Sequence, residues 1–154
     1  MRKYDIIKGI NMKKIIILIS IAIIIIGAVS INYISLKNEQ KNVLKYNLEF
    51  EKIFQKEILG IDLTTIINKV INNNEKNNVE IGQEKKYINN NIDSINIDIM
   101  MTDTNEIYPM EILYNGGIEE FVQYYGNIKF KCTKIEYHKN TGKVSYLYFE
   151  QISE

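Results

Sequence analysis

Several residue types on which common active sites depend are nearly missing from this 154-residue sequence. Tryptophan is absent, and cysteine, histidine and proline each occur once. With Cys132 alone, the chain cannot form an internal disulfide bond or a multi-cysteine zinc site. With His138 alone, the usual histidine zinc patterns are excluded, and no serine or cysteine lies in a nucleophile motif such as G-x-S-x-G. Phosphate-binding glycine motifs are also absent. The sequence therefore predicts no cofactor and no bound metal, and it disfavours an enzyme.

Clustered positive charge is missing after residue 36. The formal net charge of the whole chain is zero, but the 14 lysines from residue 37 onward are outnumbered by 18 acidic residues. Because phosphate contacts need clustered cations, this part of the chain is a poor candidate for binding nucleic acid. The excess of positive charge lies at the other end, where five basic residues and only one acidic residue occupy positions 1–14.

One uncharged apolar run dominates the N-terminal quarter. Residues 15–36 read IIILISIAIIIIGAVSINYISL. A helix of this length spans about 33 Å, and the hydrocarbon core of a bilayer is about 30 Å thick. The run therefore predicts a transmembrane helix in contact with lipid, and its anchoring side chains include Ile15, Ile16, Ile17, Leu18, Ile23, Ile24, Ile25 and Ile26.

The basic residues before this run predict its orientation. Positive residues favour the cytoplasmic side, so residues 1–14 are expected inside the cell and residues 37–154 outside it, in a single-pass topology. Two alternatives stay open. Met12 is a second candidate start, and Ala28-Val29-Ser30 has the small residues of a signal-peptidase site. Cleavage after Ser30 would release the domain as a secreted protein.

The first part of the domain has helical periodicity. Residues 37–59 carry one apolar stripe and are expected to continue the membrane helix as an amphipathic helix, which offers a surface for a protein partner or for self-association. Gly60 is expected to end it, and Asp62 to cap a second helix that stops at Asn72-Asn73-Asn74. Residues 75–86 are expected to form a surface loop.

From Tyr87 onward the periodicity is mostly that of strands. Residues 95–101 alternate as a half-buried strand, residues 107–113 fit either an edge strand or a short helix, and residues 118–125 fit a helix closed by Gly126. Residues 128–149 predict a hairpin with a bulge near Thr133 and a central second strand. The predicted fold is α+β, an antiparallel sheet of three or four strands with helices on one face.

Two groups of side chains are candidate sites. Asp98 and Asp103 flank a strand end and could meet Glu111, which with His138 would make a small hydrolase site. The last third is also rich in tyrosine, and aromatic rows on sheets bind peptides or glycans as well as filling cores. The candidate partner or ligand surface comprises Tyr114, Tyr124, Tyr146 and Tyr148.

The stretches IDLTTIINKVINNNEKNNVE, SINIDI and FKCTKIEYHKNTGKVSYLYFEQ resemble a group of small proteins without an assigned activity from clostridial-type Gram-positive bacteria. That resemblance implies an exported, membrane-anchored protein and supplies no site residue. The element order is also similar to that of type IV pilins and pseudopilins. However, Gly9 is followed by Ile10-Asn11-Met12, without the glutamate that prepilin processing requires.

Taken together, these patterns predict a non-enzymatic, membrane-anchored interaction or assembly domain outside the cytoplasm. A pilin-like envelope subunit and a small cell-envelope hydrolase are the alternatives.

Overall fold

The protein is described by a computed structural model that covers residues 12–152. These residues form three helices and five strands, in the order α1 (Met12–Glu51), β1 (Glu57–Leu59), α2 (Gly60–Lys76), β2 (Asn96–Met101), β3 (Glu106–Pro109), α3 (Met110–Tyr125), β4 (Lys129–Tyr137) and β5 (Val144–Gln151). The chain divides into two compact units, Met1–Asn42 and Val43–Glu154. The α+β class is thus confirmed.

In the described part of the first unit, residues 12–42, the apolar run is helical as predicted. Its most apolar 18-residue window has a mean hydropathy of 2.8 and none of it is buried inside the protein. The hydroxyls of Ser20 and Ser30 donate to the carbonyls of Ile16 and Ile26, which satisfies them within the helix. By length and composition, α1 is able to cross a membrane. Most of the predicted basic head, residues 1–11, lies outside the described residues.

The second unit is built on a five-stranded sheet with the strand order β1-β4-β5-β2-β3. The C-terminal hairpin is confirmed: β4 and β5 pair antiparallel, with a register shift between Cys132 and Lys134. Gly142 closes the turn with φ of 69°, a left-handed conformation that glycine adopts without strain. The prediction that β5 is central is also confirmed.

The sheet is mixed, which corrects the expectation of a purely antiparallel one. β2 pairs with β5 in parallel, from Asn96↔Tyr146 to Met100↔Glu150. The tight β4–β5 turn makes β5 antiparallel to β4, so the direction of β5 relative to β2 depends on how β4 enters the sheet after β3 and α3. Residue periodicity does not record that direction.

The predicted helix over residues 37–59 is too long by eight residues, because α1 ends at Glu51. Beyond it, Gln55 has φ of 60°, Phe54 bridges to Cys132, and β1 pairs with the start of β4. A helical stripe and a sheet edge compete for the same apolar residues here. Pairing with the otherwise unsatisfied backbone of β4 decides for the strand.

Gly60 begins α2 and does not end the preceding helix, and Asp62 lies in the first turn of α2 without capping it. A Cβ atom at position 60 would collide with the carbonyl oxygen of Tyr125. Glycine is therefore needed because two backbones approach closely, not because a helix ends. The asparagine run does not stop α2 either, since the helix continues to Lys76.

For residues 107–113 the sequence fits either an edge strand or a short helix, and the structure contains both. Pro109 ends β3 on the edge of the sheet and directly precedes the first residue of α3. Gly117 has φ of 105° and ψ of 101°, which makes a kink between two helical segments of α3.

The core lies between the sheet and the helices. Alternate residues of the strands are buried on one face, where Phe121 of α3 packs against Phe130 of β4. The largest fully buried side chains of this core are Phe130, Phe149, Leu63, Ile67, Ile71, Ile95, Ile97, Ile99, Met110 and Leu147. Helices α2 and α3 thus cover one face of the sheet, as predicted.

Candidate functional site

The sheet face opposite the helices carries the most distinctive set of polar and aromatic side chains. Because side chains alternate along a strand, the partners of the buried residues point away from the core. We define the open sheet face as Asn96, Asp98, Met100, Ile107, Lys131, Lys134, Glu136, Tyr146, Tyr148 and Glu150. Its members are half-buried or exposed.

A tyrosine and an aspartate form the centre of this face. Tyr146 donates its hydroxyl to Asp98 Oδ2 at 2.9 Å, and Lys134 Nζ lies 5.6 Å from the centre of the Tyr146 ring. Lys134 also pairs with Glu136 at 2.6 Å. Burial, followed by the hydrogen bond to Asp98, raises the pKa of Tyr146. Tyr148 lies beside Asp98 in the parallel register and beside Lys134 in the antiparallel one.

One polar atom on this face has no hydrogen-bond partner. Among the described residues, Asn96 Oδ1 is the buried side-chain oxygen or nitrogen that has no hydrogen-bond partner. Asn96 is paired with Tyr146 across the β2–β5 ladder. Buried polar atoms are almost always hydrogen-bonded, so this unpaired amide oxygen is an exception in the described part of the chain.

The four tyrosines predicted as one surface divide between two. Tyr146 and Tyr148 lie together on the open sheet face, whereas Tyr114 and Tyr124 lie on α3, which packs on the other side of the sheet. Tyr124 is 66% exposed. It borders a shallow groove of about 210 Å³ along the kinked helix, together with Ile112, Gly116, Gly117 and Glu120.

The residues considered for hydrolysis do not converge on one cleft. Asp98 is on the open sheet face, whereas Glu111 is buried on the helix side, where it accepts the Tyr87 N–H at 2.9 Å. His138 is also buried, and its Nε2 donates to the carbonyl of Ser94 at 2.7 Å. Asp103 accepts the hydroxyl of Tyr125. Each group has its own partner, and together they offer no shared position for a reacting atom.

The single thiol and the acidic groups give no other centre within residues 12–152. Cys132 is fully buried, and burial raises its pKa to about 11, which disfavours the reactive thiolate. In that part of the chain, no three histidine, cysteine, aspartate or glutamate side chains are grouped in a way that could hold a metal ion.

Two asparagines have structural roles that were not identified from the sequence. Asn74, in α2, donates to the carbonyl of Ile95 at 2.7 Å and accepts its N–H at 2.9 Å. Asn47, in α1, donates to the carbonyl of Gly142 and accepts the N–H of Val144. A signal was present for Asn74, because it continues the apolar stripe of Ile67, Val70 and Ile71 at helical spacing.

Comparison with known proteins finds no relative of this chain. No model of a protein family matches the chain, and neither the curated proteins nor the solved structures include a match.

Proposed function

We propose that this protein is a membrane-anchored domain that binds a protein partner outside the cytoplasm. The observation that carries the anchoring is α1, whose apolar window is long enough to span a bilayer and buries none of its surface in the protein. Water does not solvate such a surface favourably, and lipid does. The lysine-rich residues 1–14 favour the cytoplasmic side for the N-terminus.

The open sheet face is the proposed binding surface. It combines half-buried tyrosines and Met100 with charged side chains that are already paired, such as Lys134 with Glu136. Tyrosine and methionine are enriched at protein interfaces, and pre-paired charges lower the desolvation penalty of binding. Ile107, which is 55% exposed, extends the apolar part of this face to the edge strand β3.

The topology is tested by thiol labelling in intact cells. Two variants, Asp5→Cys and Glu75→Cys, are treated with a membrane-impermeant maleimide, and the cells are then fractionated. Cys132 is buried and serves as the internal background. We expect labelling at position 75 alone, in the membrane fraction. Labelling at position 5 alone would reverse the orientation, and recovery of the chain from the medium would show that the anchor is cleaved.

The binding surface is tested by photo-crosslinking from two tyrosine positions. Benzoylphenylalanine replaces Tyr148 on the open sheet face or Tyr124 on α3, in the full chain and in intact cells. We expect a discrete protein adduct from position 148 and none from position 124. Adducts from position 124 alone would move the proposed surface to the groove along α3.

A pilin-like envelope subunit is the second candidate. It is favoured by α1, which carries the apolar run and then contributes Phe50 to the core of the domain. Pilin-like proteins are processed close to the start of the apolar run. The two candidates are separated by N-terminal sequencing of the protein from membranes, since an unprocessed N-terminus before residue 12 argues against the pilin-like subunit.

A further inference from the structure

The chain enters the second unit close to the end of the proposed membrane span. Six residues, 37–42, separate the last residue of the apolar run from Val43, where the unit begins. Even fully extended, six residues span only about 20 Å. If the run is in the bilayer, chain length alone keeps the end of the domain that contains Val43 close to the lipid headgroups.

Two loops lie at that end of the domain. The β4–β5 turn is beside Val43, whose Cγ1 would be 3.9 Å from a Cβ atom at Gly142. Asn47, one helical turn along α1, fixes the same turn through its bonds to Gly142 O and Val144 N. The second loop, residues 89–94, is tied to the first, because Thr141 Oγ1 donates to the carbonyl of Ile92 at 2.8 Å.

The second loop holds an isoleucine in solvent. Asn90 Oδ1 accepts the N–H groups of Ile92, Asp93 and Ser94, each at 3.0 Å, and Asn91 has φ of 58°. These bonds fix the turn, yet Ile92 at its tip is 52% exposed. Polar residues and glycine normally occupy such positions. A fixed turn that presents an apolar side chain to solvent suggests a surface into which that side chain inserts.

The charges of these loops suit an anionic surface. Lys139 is exposed in the β4–β5 turn, and Lys143 lies in the same turn with its Nζ 5.9 Å from the centre of the Tyr46 ring. The second loop has one acidic group, Asp93, which accepts a hydrogen bond from Asn90 Nδ2 at 2.7 Å. With two lysines against one aspartate, the two loops together carry a net positive charge.

We propose that these two loops form a lipid-contacting rim, defined as Ile92, Lys139 and Lys143. Ile92 inserts at the level of the headgroups, and the lysines contact anionic lipid. Because the tether keeps the rim at a high effective concentration near the bilayer, a weak contact is enough to orient the domain. This inference rests on the proposed anchoring. It adds that the domain has one preferred orientation relative to the membrane surface.

The test uses the absence of tryptophan, which makes any introduced tryptophan a unique reporter. Ile92→Trp is compared with Ile61→Trp, a matched control: the two isoleucines are 52% and 50% exposed. Ile61 lies at the other end of the domain, where its N–H donates to Gly126 O just before β4 begins. Each full-length variant is reconstituted into phosphatidylcholine vesicles, with and without phosphatidylglycerol, that contain lipids brominated in the upper acyl chain.

We expect the vesicles to carry both variants on flotation, and the tryptophan at position 92 to be quenched about twice as strongly as that at position 61 when anionic lipid is present. Adding Lys139→Glu to Ile92→Trp is expected to remove most of this difference. Circular dichroism of each variant verifies that the domain is folded.

The outcomes separate the two proposals. Flotation with equal quenching at positions 92 and 61 overturns the rim and leaves the anchor in place. Stronger quenching at position 92 that is the same without phosphatidylglycerol supports the insertion of Ile92 and overturns the role of the lysines. Failure of both variants to float overturns the anchor and the rim together.

Discussion

Isoleucine has opposite environments in the two units of this protein. In the apolar run, Ile23, Ile24, Ile25 and Ile26 are between 58% and 70% exposed, whereas Ile67, Ile95 and Ile99 in the domain are completely buried. The side chain is the same in both units, so its chemistry alone does not determine whether it is buried. What differs is spacing. The isoleucines of the domain follow helical or strand periodicity with polar residues between them, and those of the run cover the helix all round.

Polar side chains repeat the contrast. Ser20 and Ser30 bond to carbonyls four residues earlier in their own helix. Asn74 and Asn47 bond to backbone that lies 21 and 95 to 97 residues away in sequence. The run thus satisfies its polar groups locally, as a helix in lipid must, and the domain satisfies them through tertiary contacts. The two units should therefore respond differently to substitution.

The largest expected effect distinguishes the two faces of the central strand. Phe149→Ala removes a side chain that is fully buried, and it should lower the free energy of unfolding by about 3–5 kcal/mol. Tyr148→Ala, one residue earlier on the open sheet face, should lower it by about 1 kcal/mol, through lost cross-strand contacts. Urea unfolding of the full chain in detergent measures both. Equal losses would mean that the open sheet face is packed.

The next effect concerns the run. Ile24→Lys places a charge within the span and should disfavour membrane insertion by about 3 kcal/mol, whereas Ile24→Leu should have no effect. The share of protein in the washed membrane fraction is the measurement. Since residue 24 makes no part of the core of the domain, the urea midpoint in detergent should be the same for both variants. A lowered midpoint for the lysine variant would contradict the separation of the two units.

A polar bond between distant segments should have a smaller effect. Asn74→Ala leaves the N–H and carbonyl of Ile95 without partners and should lower the free energy of unfolding by about 2 kcal/mol. Asn72→Ala, two residues earlier in the same run and exposed, should change it by less than about 0.5 kcal/mol. If both variants are equally stable, the hydrogen bonds of Asn74 make no measurable contribution to the free energy of unfolding.

The smallest effect is pH-dependent. Burial, aided by the charge of Asp93, raises the pKa of Tyr46 from 10 to about 12. The folded state therefore favours the protonated tyrosine, and the resulting stability is complete below pH 10 and is lost as the pH rises through 12. Tyr46→Phe removes the bond to Asn73 Oδ1 and should cost about 1 kcal/mol at neutral pH.

Above pH 10, the difference between Tyr46→Phe and the unsubstituted chain should shrink and disappear, because only the latter has a phenol to ionise. Tyr124→Phe, at a tyrosine that is 66% exposed, is the control and should have no measurable effect at neutral pH. Urea midpoints measured between pH 7 and pH 12 follow both variants. A difference that persists unchanged at pH 12 would contradict the assignment.

Much of the domain was predictable from residue order. Periodicity and turn chemistry predicted the strand over residues 95–101, the C-terminal hairpin with its bulge near Thr133, and the central position of β5. Local sequence did not predict three other features: the end of α1, the role of Gly60 and the parallel pairing of β2 with β5. Each of these three depends on a segment distant in sequence: β4 for the first, Tyr125 for the second and the way β4 enters the sheet for the third.

The candidate site was predicted in part. Tyr146 and Tyr148 were named as members of one candidate surface, and they lie together on the open sheet face. Tyr114 and Tyr124, counted with them, are on a helix across the sheet, because spacing within one element carries no information about which side of a sheet another element covers. The same reason separates Asp98, Glu111 and His138, whose partners became known only from the tertiary structure.

By itself, the sequence determined the division of the protein into an apolar helix and an α+β domain, since local composition fixes whether a segment is better solvated by lipid or can fold around a core. It also determined most strands and turns, which depend on neighbouring residues. Only the tertiary structure decided the mixed sheet, the open sheet face and the bonds of Asn47 and Asn74 to distant backbone. These features arise where segments far apart in the chain compete for the same backbone hydrogen bonds and the same buried surface, and the result depends on the whole fold.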